Sequence, residues 1–189
     1  MNIKSERSVK YLIYSDLKRV GGGNLIIRLF SNASFSILFW YRIGNYLKKK
    51  RNILCKMFYP IIFIIHKHNT IKYGIQFPLS LEIGEGMLFA HFSGIVLGAR
   101  SIGKNCTFYQ CTTVGGTHGK GVPIIGDNVV LFAGAKVVGK VIIGNNVVIG
   151  ANSVVVSDIP DNAVVVGIPG KIVSYNASNI TQYFDSCNV

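Results

Sequence analysis

Proton transfer near neutral pH is chemistry that histidine performs best, and this chain of 189 residues has four: His66, His68, His91 and His118. His91 lies in Phe89-Ala90-His91-Phe92-Ser93-Gly94, an aromatic setting that suits either a packed ring or a general base. His66 and His68 flank Lys67 without a third ligand at metal-binding spacing, so they read as solvated or phosphate-facing residues and no metal is expected. Cys55, Cys106, Cys111 and Cys187 form no CxxC pair, which points to reduced thiols rather than a zinc cage or a redox couple. Glu82 and Glu85, the acids nearest His91, fit solvated turns.

The elements that must hold these residues change character near residue 74. Before it, apolar positions such as Tyr11, Leu12, Tyr14, Leu17, Leu25, Leu29, Leu38, Ile43 and Leu47 follow a helical spacing. Breaks are expected at Gly21-Gly22-Gly23 and at Lys48 to Asn52, giving three or four helices. After it, Ile125, Leu131, Val137, Ile143, Ile149 and Val155 recur every six residues, with Val129, Ala135, Val141, Val147 and Ser153 two positions ahead of the last five. Upstream, Ile83, Phe89 and Ile95 keep that spacing, which then slips by one residue to Ile102, Phe108 and Val114. Neither a helix nor a long strand has this period. A parallel β-helix does, three short strands to a turn, with the aliphatic and the preceding small residue both pointing inward. About five such coils fit between Ile75 and Val173, and GGTHGKGVPI after Val114 is expected to project as a loop.

On IGEGMLFAHFSGIVLG (83–98), TVGGTHGKGVPIIGDNVVLFAGAKVVG (113–139), IIGNNVVIGANSVV (142–155) and DIPDNAVVVGIPGKIV (158–173), the chain resembles the hexapeptide-repeat acyltransferases, and within them the serine acetyltransferase group. The resemblance implies a mainly β fold: a left-handed parallel β-helix at 74–173, preceded by a short α-helical region at 1–73 and followed by a tail at 174–189. It also implies acetyl-CoA as donor, a hydroxyl as acceptor and a homotrimer with sites between subunits. Ser15-Asp16-Leu17 and Arg19 look like the N-terminal region of members that serve polysaccharide assembly.

By the same resemblance His91 occupies the catalytic position, where an imidazole takes the proton of the attacking hydroxyl. The acid that orients this histidine in serine acetyltransferases falls on Gln76, whose amide oxygen can still accept from an imidazole N–H but carries no charge. The acid that precedes it falls on Ala90, and the loop histidine that would meet a serine carboxylate has only His118 as counterpart. Ala90 and AHFSGIV favour a sugar hydroxyl in surface polysaccharide biosynthesis over L-serine, with Phe92, Tyr109 and Gln110 available to a sugar ring. Gly116, Ala133, Ala151 and Lys171 match cofactor-binding positions, although the small ones equally suit coil turns. Ser157 and Ser174 stand where some relatives carry basic residues, which leaves Lys136, Lys140 or Lys171 for the phosphates.

Composition sets the remaining bounds. The chain is 49% hydrophobic and 15% charged, which excludes a disordered protein. Its net charge of +12 lies entirely in residues 1–73, which hold 14 basic and 2 acidic side chains; the rest balance at 6 and 6. That distribution, with no recognition module for nucleic acid, points to an anionic membrane surface near Lys48 to Arg51. The polar start MNIKSERSVK does not read as a signal peptide, so a cytoplasmic location, peripheral to the membrane, is expected. Leu25 to Tyr41 and Ile53 to Ile65 are interrupted by Arg28 and Lys56, Pro60 should kink the second, and a span needs roughly 20 apolar residues. A non-catalytic trimeric scaffold is the alternative from another class.

Overall fold

The computed structural model describes residues 8–50, 52–117 and 121–177. Four helices come first: α1 (Val9–Arg19), α2 (Leu25–Ser31), α3 (Ala33–Lys49) and α4 (Ile53–Tyr73). Each starts on a residue able to cap it, with Ser8, Asn24, Asn32 and Asn52 accepting hydrogen bonds from first-turn N–H groups. Asn32 also closes α2, a break that falls inside the apolar stretch 25–41. The break expected at Lys48 to Asn52 falls at residues 50–52: α3 runs through Lys49, where a basic last turn suits the carbonyl end of a helix, and α4 begins at Ile53. Pro60 lies inside α4, on its exposed side. Gly74, left-handed at φ 63°, ends α4 and turns the chain into the first strand.

From Ile75 the chain winds as a parallel β-helix of about five turns, and fifteen short strands run from β1 (Ile75–Gln76) through β3 (Leu88–Phe89) to β15 (Lys171–Ser174). They form three sheets. The first stacks β1, β4 (Ile95–Leu97), β7 (Thr113–Gly115), β10 (Lys136–Val138) and β13 (Val154–Val155). The second stacks β2 (Glu82–Ile83), β5 (Ser101–Ile102), β8 (Ile124–Ile125) and β11 (Ile142–Ile143). The third stacks β3, β6 (Thr107–Phe108), β9 (Val130–Leu131), β12 (Val148–Ile149) and β14 (Val164–Val166), with β15 returning antiparallel at the end. The six-spaced aliphatics and the small residues two ahead of them all face the interior; Ala135, Val147 and Ser153 are wholly buried.

At the corner between the second and third sheets the sequence has Gly86, Asn105, Asn128 and Asn146, all left-handed, and Asn162 joins them below. Their side chains form a ladder: Asn105 donates to Asn128, Asn128 to Asn146 and Asn146 to Asn162, over 2.8 to 3.2 Å. Asparagine is the non-glycine residue that enters the left-handed region most readily, and here its amide also stitches consecutive coils. The glycines before these turns have a different reason: a Cβ on Gly126 would come 2.6 Å from the Gly144 carbonyl oxygen.

The helices close the open end of the solenoid through one buried ion pair. Arg42 on α3 donates from Nε to Asp16 of α1 at 2.8 Å, and its Nη atoms reach the Ile83 and Gly84 carbonyls, each at 2.6 Å. Asp16 in turn accepts from the Met87 N–H at 3.0 Å. Both side chains are buried, so every polar atom has to find its partner within the joint. Arg19 adds a 2.7 Å bond to Thr107, and Tyr41 donates to the Leu81 carbonyl.

His66 corrects an expectation. It is buried at 4% exposure, with Nε2 at 3.0 Å from the Phe77 carbonyl, because it lies on the α4 face that packs against β1, whereas His68 is exposed. Among the described residues Cys55, Cys106 and Cys111 are free thiols; burial pushes Cys106 up to about 12. Cys187 and His118 lie outside the described residues.

Removing one partner of the joint, as in Asp16→Ala or Arg42→Met, should cost about 3–5 kcal/mol in urea unfolding, and Asp16→Leu with Arg42→Met should recover most of it. Burial lowers the His66 pKa, so below the ordinary histidine value near 6.5 the unfolded chain takes up a proton that the folded one refuses. Stability should therefore fall on acidification through that range, and His66→Gln should flatten that slope.

Candidate functional site

At the corner between the third and first sheets, parallel register makes columns. The ladder sets Ala90 over Tyr109, Tyr109 over Phe132 and Phe132 over Gly150, each N–H bonding the coil beyond at 2.9 to 3.0 Å or, for Gly150, 2.8 Å. One residue further along the chain, Gln110, Ala133 and Ala151 stack in the next column. His91 stands at the top of that column, and Ala151 lies about 14 Å along the axis from it, three strand spacings away.

His91 does not simply continue the column. Phe89 pairs with Phe108 and Leu97 pairs with Val114, so eight residues separate the first pair members where six separate the second. The corner Ala90–Gly94 is therefore two residues longer than the corners below it. The slip by one residue in the sequence hides this, because the added two are followed by a shortening: Leu97 to Ile102 is five residues. The longer corner bulges outward and leaves His91, Phe92 and Ser93 exposed. It takes up the extra length with left-handed Ser93 (φ 95°) and Gly94 (φ 68°). It rests on Gly74, where a Cβ would lie 3.2 Å from Ser93 Cα.

The His91 ring meets the edge of Tyr109 at 5.7 Å between centroids, and Tyr109 stacks on Phe132 at 5.2 Å and 25°. Phe92 packs against Tyr73 at 6.0 Å. These aromatics give the exposed imidazole a firm wall on one side. Gln110, next below His91, carries a buried side-chain oxygen without a hydrogen-bond partner, an acceptor that a ligand N–H or O–H could satisfy.

The remaining expected residues are distributed unevenly. Gln76 is on β1, exposed and paired with Val96; no hydrogen bond joins it to His91. Gly116 lies beyond β7, across the first sheet from the column. Thr117 bridges Gly121 there, and a Cβ on Gly116 would collide with the Gly121 carbonyl oxygen, so the bridge itself requires this glycine. Lys171 is exposed on β15, two strands beyond Ala151. Lys136 is engaged, donating to the Cys111 carbonyl at 2.8 Å, while Lys140 lines a cavity of about 340 Å³ with Arg100 and Asp158.

The acids fall elsewhere. Glu82 is on the second sheet, bonded to Lys49 at 2.9 Å; Asp158 bonds the Ile142 N–H on that sheet. Glu85, Asp127 and Asp161 occupy the asparagine corner, where Asp127 and Asp161 accept from the N–H groups of Lys104 and Asn145. Among the described residues, then, no carboxylate of this chain lines the His91 corner. Sequence reasoning missed the longer corner and the unpartnered Gln110 oxygen; only alignment of Leu97 rather than Ile95 with Val114 would have exposed the first.

Known proteins resemble this chain in sequence and in fold. Residues 123–157 match the family described as bacterial transferase hexapeptide (six repeats). A serine acetyltransferase of Staphylococcus xylosus is 41% identical over 146 residues, 75% of this chain and 64% of that one. One from Staphylococcus aureus strain Mu50 is 46% identical over 116 residues, 59% and 54% of the two chains. The chain thus spans between about half and two thirds of these relatives' length. Among solved structures, a serine acetyltransferase in complex with CoA superposes with TM-score 0.73 at 26% identity, covering 90% of this chain and 72% of that one. Soybean serine acetyltransferase without ligand gives 0.75 at 27% identity, covering 89% and 70%.

Gly116→Val should open the Thr117–Gly121 bridge. Limited proteolysis between residues 114 and 125 should accelerate severalfold, with the thermal transition of the solenoid unchanged.

Proposed function

Because the chain belongs to the hexapeptide-repeat transferase family, we propose that it is an acetyl-CoA-dependent O-acetyltransferase with His91 as general base. The observation that carries this reading is the lengthened corner: it lifts one imidazole out of a column otherwise lined by Gln110 and two alanines. An extended pantetheine arm laid along that column approaches the backbone closely at Ala133 and Ala151, which larger side chains would prevent. Its thioester then lies at the His91 end and its phosphates toward Lys171. The similarity to a serine acetyltransferase solved in complex with CoA supports the donor.

In the reaction, His91 removes the acceptor hydroxyl proton as the oxygen attacks the thioester carbonyl. Collapse of the tetrahedral intermediate breaks the C–S bond, and the imidazolium returns the proton to the departing CoA sulfur. Tyr109 braces the ring. Gln76, on β1 beside β4, supplies an amide oxygen that accepts from an imidazole N–H in the substrate complex and fixes the tautomer. A trimer, usual for the family, brings a neighbouring solenoid to the other side of the column.

For the acceptor, similarity to serine acetyltransferases supports L-serine more directly than the sugar hydroxyl expected from the sequence. The sugar reading has one specific observation in its favour: with Ala90 and Gln76 at the positions of acids, the described residues offer no carboxylate at the His91 corner to an amino acid's ammonium group. Thiol release from acetyl-CoA, measured with L-serine and with candidate sugars, separates the two. His91→Ala should lower kcat by roughly 10²–10⁴ with the better acceptor while CoA binding by calorimetry persists. Deleting Phe92 and Ser93, which restores the six-residue spacing, should abolish turnover yet leave the solenoid folded. Turnover surviving both changes would refute the assignment of His91.

A further inference from the structure

The helical region leaves one large apolar face uncovered. On α4, Ile53, Leu54, Met57, Phe58, Ile61 and Ile64 are each more than half exposed. They recur at three- and four-residue steps, so they form one continuous stripe. The buried residues of α4, His66, Asn69 and Thr70, all lie in its last two turns, where it packs on the solenoid. The earlier turns pack on α3, along a close approach in which a Cβ on Gly44 would come 3.3 Å from Ile62.

Charge borders the stripe. Lys56 and Lys67, eleven residues apart, fall within about 20° of each other around the helix and mark one edge of it. Lys72 lies further along, and Lys48 to Lys50 stand at the end of α3 immediately before α4. No Asp or Glu occurs anywhere in α4. Among the described residues of the helical region the single acid is Asp16, which is buried against Arg42.

We propose that this face of α4 docks the protein on an anionic phospholipid surface, lying in the interface with Phe58, Ile61 and Ile64 among the acyl chains and the lysines among the headgroup phosphates. The combination of an apolar stripe with an acid-free basic border is what such a surface complements. Among the described residues no helix is long and apolar enough to cross a membrane, which fits a helix lying flat rather than spanning. A second copy of this chain is a poorer occupant, because symmetric pairing would bring lysines together with no carboxylate on α4 to offset them. Nucleic acid would satisfy the lysines and leave the isoleucines wet. The inference does not depend on the proposed reaction, since no residue of the stripe takes part in it.

Vesicle flotation of the full chain tests it, with phosphatidylcholine alone and with phosphatidylcholine plus phosphatidylglycerol. The protein should float only with the anionic vesicles and less as salt is raised. Phe58→Ser with Ile61→Ser, and separately Lys56→Gln with Lys67→Gln, should each weaken binding about tenfold or more. All four residues are exposed, and an unchanged circular dichroism spectrum would show that the variants fold. Flotation of the serine variant equal to wild type overturns the proposal. So does wild-type protein that fails to float, whether light scattering then shows the stripe joining two copies or a mobility shift shows it bound to RNA.

Discussion

Parallel stacking at about 4.8 Å is the constraint from which the rest of this molecule follows. Each backbone group bonds its equivalent one coil away, so whatever occupies a position must tolerate the same position directly above and below. That is why a Cβ is forbidden at Gly126, why asparagine recurs at a left-handed corner, and why Ala135 and Ser153 face the interior where two large residues per strand would not fit. The same rule makes columns on the outside. A ligand that lies along a column meets one side chain per coil, and the groove of Gln110, Ala133 and Ala151 is a product of register before it is a product of chemistry.

Stacking leaves an exposed terminal coil, and the helices resolve it with charge. Arg42 spends its guanidinium on Asp16 and on two carbonyls of the first coil, Ile83 and Gly84, that have no strand above them to bond their outer edge. Asp16 completes the exchange at Met87. One ion pair thus fastens α1 and α3 to the solenoid and satisfies its open end. The opposite end uses backbone instead: β15 folds back antiparallel on β14 and ends the parallel ladder of the third sheet.

Much of this was legible in the sequence because a period of six is imposed by backbone geometry and survives any choice of surface residue. The solenoid and the inward small residues follow from it directly. What escaped was local compensation. An eight-residue interval followed by a five-residue one sums almost to two normal repeats, so the lengthened corner at His91 looked like a slip of one. His66 escaped for another reason: a histidine beside lysine looks solvated, and only the packing of α4 on β1 shows that its neighbours in space are Tyr41 and Phe77. Gly116 was readable both as a ligand contact and as a turn residue, and the close Gly121 carbonyl gives the turn its own reason for glycine.

The lengthened corner has one more consequence. Pairing is in register on both sides of it, at Phe89 and again at Leu97, so the core does not sense how many residues lie between. The geometry around His91 and mechanical integrity are therefore set by different stretches of chain. A corner can be lengthened, shortened or re-equipped as an accessory is changed on a standard mount, and a solenoid of this kind can change what it presents there without renegotiating its stability.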